Sequence, residues 1–288
     1  IGSALVGGGG GAGARPQLEQ PWLRAHPSFS EEQRRWEAEM ANASVLLEEE
    51  VFGRRLRLYA FKRSGPALDA VFRELRDDHY RLQHTTSPSR RGAAVVLDVG
   101  ASIGVVTALL AKLWEGVRIV AVEPAPSNFR YLLWNIRLNG LADRVWPLNV
   151  AVGAAGSPAR TFYYSPTYPT WSQACGEDCR ADRSDDAWRG GWTDWQVRFE
   201  VEVLTLAEIL VALGLSDVHL LKVDCEGCEW EVFAPTPWSR LRHRVRHVTT
   251  ELHSWALPSS AEPGLEASVR GAVCAQTRQT ENTLCSTM

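Results

Sequence analysis

Lysine is nearly missing from this chain. Lys62, Lys112 and Lys222 are its only three, and arginine supplies the rest of the 31 basic residues, a skew we read as coding bias. Against 34 acidic residues the formal charge is −3, so no broad positive field draws the chain onto nucleic acid or an anionic membrane, and neither is expected as a partner. No apolar run approaches the roughly 18 residues that a membrane span needs. The six cysteines, Cys175, Cys179, Cys225, Cys228, Cys274 and Cys285, are too few and too scattered for a disulfide scaffold. Cys175 and Cys179 can clip a loop, Cys225 and Cys228 have redox spacing, and the four together can hold zinc. Neither a phosphate-binding P-loop nor the three-glycine dinucleotide fingerprint occurs. The chain opens on Ile rather than Met, so any targeting segment is expected to lie before it. That leaves the compartment open between cytoplasm and secretory pathway, and the sequon Asn42-Ala43-Ser44 matters only in the second case. Nothing in the sequence sets the oligomeric state.

What is present is organised around Val95–Gly104, VVLDVGASIG. Its apolar start reads as a strand buried on both faces, and the apolar residues Val105–Trp114 read as a helix. Gly100–Gly104 is therefore a tight strand-to-helix turn, where glycine allows the sharp bend and the close approach of a ligand. Two glycines with Ser102 between them do not make a pyrophosphate cradle, and Asp98 at the strand end would repel one. The same carboxylate suits a cationic nucleoside without phosphate, which is the chemistry of S-adenosylmethionine. A second apolar run, Val117–Val122, ends in Glu123, where an acid can accept hydrogen bonds from both ribose hydroxyls.

At 288 residues and 45% hydrophobic content the chain has room for one large or two small domains. Residues 1–30, rich in glycine and proline, read as a disordered lead. Residues 31–92 read as an extension: a helix capped by Ser30 and running toward Leu47, a strand or hairpin arm in Val51–Phe61, and an amphipathic helix over Pro66–Leu82. The main domain is expected over 93–257. In it, Ser127 is expected to cap a helix that closes at Asn139-Gly140, and Arg144–Val152 to form a third strand with Pro147 at an edge or bulge. Asn149, at that strand's end, can approach a bound adenine. Strand, helix, strand, helix, strand gives an α/β fold: a doubly wound, mostly parallel sheet with helices on both faces.

An insertion at 154–196, carrying Tyr163, Tyr164, Tyr168, Trp171, Trp188, Trp192 and Trp195, shows neither helical nor strand period. It reads as a lid or binding loop whose aromatic faces suit a sugar, or as a satellite core. Regular pattern returns in the alternating strand Val197–Leu204, a short helix from the cap Thr205 to Gly214, and the strands Val218–Val223 and Val245–Thr250. The last two end in Asp224-Cys225-Glu226-Gly227-Cys228-Glu229 and Glu251-Leu252-His253. Asp224, Glu226, Glu251 and His253 are thus expected at the same sheet edge as Asp98 and Glu123, where such folds bind ligands. The tail 258–288 offers one helix near Leu265–Ala275 and no clear final strand pair, so it reads as truncated and the sheet as lacking its last strands.

DVGASIG, then VEP, TLAEIL, LLKVDCEGCEWEVF and TELH resemble, in order and spacing, the FkbM-type S-adenosylmethionine-dependent methyltransferases across roughly residues 50–257. The resemblance implies a Rossmann-like class I methyltransferase fold and methyl transfer to a hydroxyl on a sugar, glycolipid or other small polar metabolite. By the same resemblance, Asp98, Gly100 and Gly104 form the cofactor turn and Glu123 holds the ribose; Ser102, where the family usually has Asn, is expected in the same turn. The family usually has small apolar residues where Cys225 and Cys228 stand, which favours packing over redox chemistry for both.

An alcohol is a poor nucleophile, so a base near its proton is expected. His253 fits by its near-neutral pKa, with Glu251, Asp224 and Glu226 orienting it or the acceptor. A divalent metal on Asp224, Glu226 and His253 is a second way to polarise the hydroxyl. A nicotinamide dehydrogenase and a catalytically degenerate scaffold, with the aromatic loop as contact surface, are readings from other classes.

Overall fold

The computed structural model describes residues 26–88, 94–157, 160–165, 168–174, 197–257 and 261–278. After Ser30, whose hydroxyl accepts from the Gln33 amide, α1 (Glu31–Met40) ends well short of Leu47. Residues 44–47 instead open a hairpin of β1 (Ser44–Val51) and β2 (Arg54–Phe61), antiparallel across a Phe52-Gly53 turn. Helix α2 (Gly65–Arg76) follows. The core then alternates β3 (Val95–Val99), α3 (Val105–Leu113), β4 (Arg118–Val122), α4 (Pro126–Leu138) and β5 (Val145–Leu148). Helix α4 starts on Pro126, with Ala125 as its cap residue, so Ser127 is not the cap.

The expected third strand is two. Beyond β5, the pair β6 (Ala151–Val152) leaves the main sheet and joins β10 (Val203–Leu204). The described part of the insertion is not without regular structure: its β7 (Arg160–Ser165) and β8 (Tyr168–Ala174) join β9 (Val197–Val201), which follows it, in an antiparallel sheet of order β8-β7-β9. Trp188, Trp192 and Trp195 lie outside the described residues, as do Cys175 and Cys179. Helix α5 (Leu206–Ala212) has the capping box of Thr205 and Glu208. Then come β11 (Val218–Val223), α6 (Glu229–Val232), α7 (Pro235–Leu241), β12 (Val245–Thr250) and α8 (Leu265–Arg278).

The central sheet has the order β12-β11-β3-β4-β5 with every pairing parallel. Strands β3 and β11 are buried along their whole length, which is why they read as apolar runs without alternation. Pro147, with no N–H to give, sits in the edge strand β5. One apolar cluster packs the hairpin, α2, α3 and α4 on one face, and another packs α5, α6, α7 and α8 on the other. Asn135 of α4 stitches the hairpin to the core. Its Oδ1 accepts from the Tyr59 amide at 2.6 Å, and its Nδ2 donates to the carbonyls of Tyr59 at 3.0 Å and Ile103 at 2.8 Å. Among the described residues no helix is long and apolar enough to cross a membrane.

His247 of β12 is 5% exposed, 5.0 Å from the His219 ring, and neither of its ring nitrogens has a hydrogen-bond partner. Burial first, then His219 and Arg246, push its pKa down to about 4 from the ordinary 6.5. The unfolded chain takes up this proton as the pH falls through 6.5, the folded chain only near 4. Its contribution to stability is therefore complete above the upper value and is lost as the pH falls between the two. Urea unfolding at about pH 7 and about pH 5 should show a smaller drop in stability for His247→Leu than for the wild type. Equal drops would rule out this residue as a source of acid lability.

Candidate active site

Strand β3 ends in the turn that the glycines predict. Gly100 and Gly104 have φ of 77° and 92°, and Ser102 between them is left-handed at 50°. The amides of Gly100 and Ala101 both donate to the Val122 carbonyl at 3.0 Å, tying the turn to the end of β4. A Cβ on Gly100 would lie 1.7 Å from the Asp224 carbonyl oxygen, so the turn is pressed directly against the loop that leaves β11. Glu123 closes the crevice from the β4 side. Its Oε2 accepts from the Ser102 amide at 2.8 Å, and its Oε1 from the Ala125 amide at 2.9 Å and Asn128 Nδ2 at 3.4 Å. Burial dominates these bonds and raises its pKa to about 7. Asn149 is on the exposed rim, its Nδ2 donating to the carbonyls of Glu123 at 2.8 Å and Pro124 at 2.9 Å.

Asp98 faces inward. It is fully buried, its Oδ2 accepts from the Thr107 hydroxyl at 2.6 Å, and its Oδ1 is 3.3 Å from Lys222 Nζ. Lys222 reaches from β11 to that carboxylate, to the Gly100 carbonyl at 2.8 Å and to Asp224 Oδ2 at 3.5 Å. Burial would strip its charge, but the two carboxylates outweigh that and hold the ammonium above its ordinary value. Asp98 thus meets the crevice through Lys222 and the turn rather than with its own oxygens. The other oxygen pair at this point belongs to Asp224, whose Oδ2 also accepts from the Tyr80 hydroxyl at 2.5 Å.

At the mouth of β11 and β12 the remaining acids gather round one imidazole. His253 is 8% exposed. Its Nδ1 is 3.1 Å from Glu229 Oε1, and its Nε2 is 3.3 Å from Glu226, 3.8 Å from Asp224 and 3.9 Å from Glu251. Burial opposes protonation, but the bond to Glu229 and the charges of Glu226, Glu229 and Asp224 raise the pKa to about 9. Burial pushes Glu226 up to about 8 against the pull of His253, and raises Glu251 as well. Glu226 itself is left-handed, with φ of 58°, inside a loop closed by a Cys225–Cys228 disulfide. Both cysteines pack against the core beneath the loop, as the resemblance favours, and are also bonded to each other. The loop wraps Glu229, whose carboxylate accepts from the Cys225 and Gly227 amides at 2.8 Å each.

Asp224, Glu229 and His253 offer ligand atoms all within 4.8 Å of one another, with Glu229 already accepting from two backbone amides and Asp224 Oδ2 from Tyr80. Of the residues expected from sequence, Asp224, Glu226, Glu251 and His253 converge on one point. Gly100, Ser102, Gly104 and Glu123 line the neighbouring turn. Three contributors were missed. Lys222 had a visible signal, since a charge inside a run buried on both faces demands carboxylate partners. Glu229 sits in the quoted string without a stated role, and Tyr80 is too far away in sequence for any local pattern to connect it.

A family model described as the methyltransferase FkbM domain matches residues 98–264. The 31-O-demethyl-FK506 methyltransferase FkbM of Streptomyces tacrolimicus is 28% identical over 193 residues, covering 62% of this chain and 73% of its own. Methyltransferase sdnD of Sordaria araneosa is 27% identical over 232 residues, covering 74% and 83%. Among solved structures, the METTL16 MTase domain aligns over 85% of this chain and 82% of its own at 11% identity, with a TM-score of 0.41.

Two substitutions probe the turn and the ion pair beneath it. Gly100→Ala should cost several times what Gly140→Ala costs in chemical unfolding. Both glycines have positive φ, but only the first would drive a Cβ into backbone, while nothing lies within 4 Å at Gly140. Equal costs would mean the turn is free to move. Asp98→Ala leaves Lys222 with only Asp224 as a carboxylate partner, and should destabilise by about 3 kcal/mol, the low end for a broken buried pair. A loss under about 1 kcal/mol would show that Asp224 alone satisfies the ammonium.

Proposed function

The chain belongs to the FkbM methyltransferase family, and on that premise we propose that it is an S-adenosylmethionine-dependent O-methyltransferase. Its acceptor is a hydroxyl on a sugar, glycolipid or other small polar metabolite. The observation that carries this reading is the convergence of Asp224, Glu226 and Glu251 on His253 Nε2, beside a glycine turn at the carboxyl end of a parallel sheet. We assign the reaction to residues 93–257, with 31–92 as an extension.

The residues present fit the cofactor. Ser102 Oγ is buried at the turn without a hydrogen-bond partner, and Glu123 Oε2 accepts one bond from the turn, leaving it free to take a ribose hydroxyl. Gly100, Ser102, Gly104 and Glu123 would hold the nucleoside, with Asn149 at the rim. When bound, the cofactor supplies an electrophilic methyl group on a sulfonium.

The chain's own task is to align the acceptor and take its proton. In-line displacement needs the reacting atoms within about 3–3.5 Å, so positioning is the first requirement. His253 Nε2 is the atom that receives the hydroxyl proton. Glu229 holds Nδ1 and so fixes the ring and its tautomer. Trp230 Nε1 pins the same residue by donating to the His253 carbonyl at 2.9 Å. The acids that place His253 also keep it protonated: with its pKa near 9, roughly one molecule in a hundred carries the free base at neutral pH. Asp224, Glu226 and Glu251 orient the acceptor hydroxyl and stabilise the imidazolium that forms.

Calorimetric titration with S-adenosylmethionine and S-adenosylhomocysteine should give micromolar binding, weakened about tenfold in Glu123→Ala by loss of the ribose hydrogen-bond acceptor. No binding by a folded chain would overturn the reading in favour of a scaffold. With hydroxylated glycans and lipids as acceptors, methyl transfer followed by mass should rise as the pH climbs from about 7 toward 9, because the base form of His253 grows over that range. His253→Ala should lower the rate by about 10²–10⁴-fold and remove the rise. Full turnover in that variant would remove His253 from the base role.

A further inference from the structure

Tyr80 lies outside the family-matched segment 98–264, yet its hydroxyl meets one of the carboxylates that face His253. It is 6% exposed and donates to Asp224 Oδ2 at 2.5 Å. The segment that carries it is built to hold it there. After α2 the backbone turns through two left-handed residues, Asp78 at φ 54° and Arg81 at φ 55°, on either side of Tyr80. Non-glycine residues hold such conformations only where their surroundings enforce them. Here Asp78 Oδ1 accepts from the Leu82 amide at 2.7 Å, Oδ2 accepts from the Gln83 amide at 3.2 Å, and the Arg81 amide donates to the Asp78 carbonyl at 2.8 Å.

The loop is also clamped to the sheet at two places. Thr249 of β12 donates its hydroxyl to the Tyr80 carbonyl at 3.0 Å, and His219 of β11 bonds the Thr86 carbonyl through Nε2 at 2.7 Å. Lys222 Nζ lies over the Tyr80 ring, 5.5 Å from its centroid, so ring and hydroxyl serve the same pair of charges. The contact divides the two oxygens of Asp224. Oδ2 is occupied by Tyr80 and Lys222, while Oδ1 is the oxygen turned toward His253 Nε2.

We infer that Tyr80 is a positioning residue: by fixing Asp224 Oδ2 it keeps Oδ1 facing His253, so that a loop preceding the family-matched segment completes the site. This rests on the role proposed for His253 and extends it to the part of the chain that sets that residue's surroundings. Tyr80 itself stays a neutral donor, because burial first and then the Asp224 charge raise its pKa well above the ordinary value. Without the hydroxyl, the strongest donor left for Oδ2 is Lys222 Nζ, now 3.5 Å away. Closing that gap turns Oδ1 away from the imidazole.

The test uses the whole chain and needs neither cofactor nor acceptor, so its failure is separable from failure of the methyltransferase reading. The His253 ring is followed by nitrogen-15 NMR as the pH is raised from about 7 to 10, a range that brackets its expected midpoint. Tyr80→Phe should lower that midpoint by about half a unit or more, roughly a threefold loss of proton affinity, because an anion beside Nε2 has moved off. Tyr131→Phe is the control. It removes another tyrosine hydroxyl, one that shares a 2.8 Å hydrogen bond with Ser44, and should leave the midpoint in place. Should Tyr80→Phe fail to fold, Thr249→Val, which releases only the clamp on the Tyr80 carbonyl, should shift the midpoint in the same direction by less. An unchanged or raised midpoint in the folded variant, or an equal fall in Tyr131→Phe, overturns the assignment.

Discussion

Lys222 is the charge on which the site depends. It enters from a strand buried on both faces, 2% exposed, between a fully buried Asp98 and the end-of-strand Asp224. A lone ammonium there would be expelled or neutralised, and two lone carboxylates likewise. Together they satisfy one another, and the spare hydrogen-bonding capacity of Lys222 goes to the Gly100 carbonyl. One side chain thereby links the middle of β3, the glycine turn that follows it and the loop beyond β11. A buried pair of this kind adds little net stability compared with well-packed apolar residues. What it fixes is register: the turn cannot move relative to Asp224 without breaking the contacts of a buried ammonium.

The second dependence runs through Glu229. This carboxylate is fully buried and is gripped by two amides of the Cys225–Cys228 loop on one side and by His253 Nδ1 on the other. The loop backbone therefore sets the orientation of the imidazole through a single intermediary. The positive φ of Glu226 follows from the same constraint, because a chain that folds two amides back onto Glu229 within so few residues must pass through the left-handed region. That places the Glu226 carboxylate opposite Nε2 while Glu229 holds Nδ1. The imidazole is thus bracketed by acids, and its affinity for a proton rises as a direct result.

Much of this was legible in the sequence, and for identifiable reasons. Strands β4, β11 and β12 each run directly into an acid, Glu123, Asp224 and Glu251, and β3 carries Asp98 one residue before its end, so the sequence marks both where these strands lie and what chemistry they deliver. Pro147 correctly pointed to an edge strand. The insertion was misread because its strands do not alternate cleanly: the register of β7 against β8 slips between Tyr164 and Ser165, which breaks the period-two signal. Helix α1 stops short of Leu47 because Ser44–Val51 pairs with β2 along its whole length, and that pairing partner is not visible in the local sequence. Long-range partners such as Tyr80 leave no local trace at all.

The extension before β3 contributes more than its distance from the central motif suggests. Its hairpin is fixed to α4 by Asn135, whose amide satisfies the Tyr59 backbone on both sides and also bonds the Ile103 carbonyl inside the glycine turn. Tyr59 stacks on Trp134 with ring centroids 4.0 Å apart, covering the same face. The extension thus supports the turn from one side through Asn135, and through Tyr80 reaches the acids at the mouth of the sheet on the other. A segment that only shielded apolar surface would need contacts with helices and little else. One that places a buried tyrosine hydroxyl on a carboxylate of the site, and whose own backbone is gripped by a buried asparagine of α4, is coupled to the site's geometry. A substitution that loosens the hairpin should therefore be felt at the crevice before it is felt in global stability, since local openings of this kind cost less than unfolding the sheet itself.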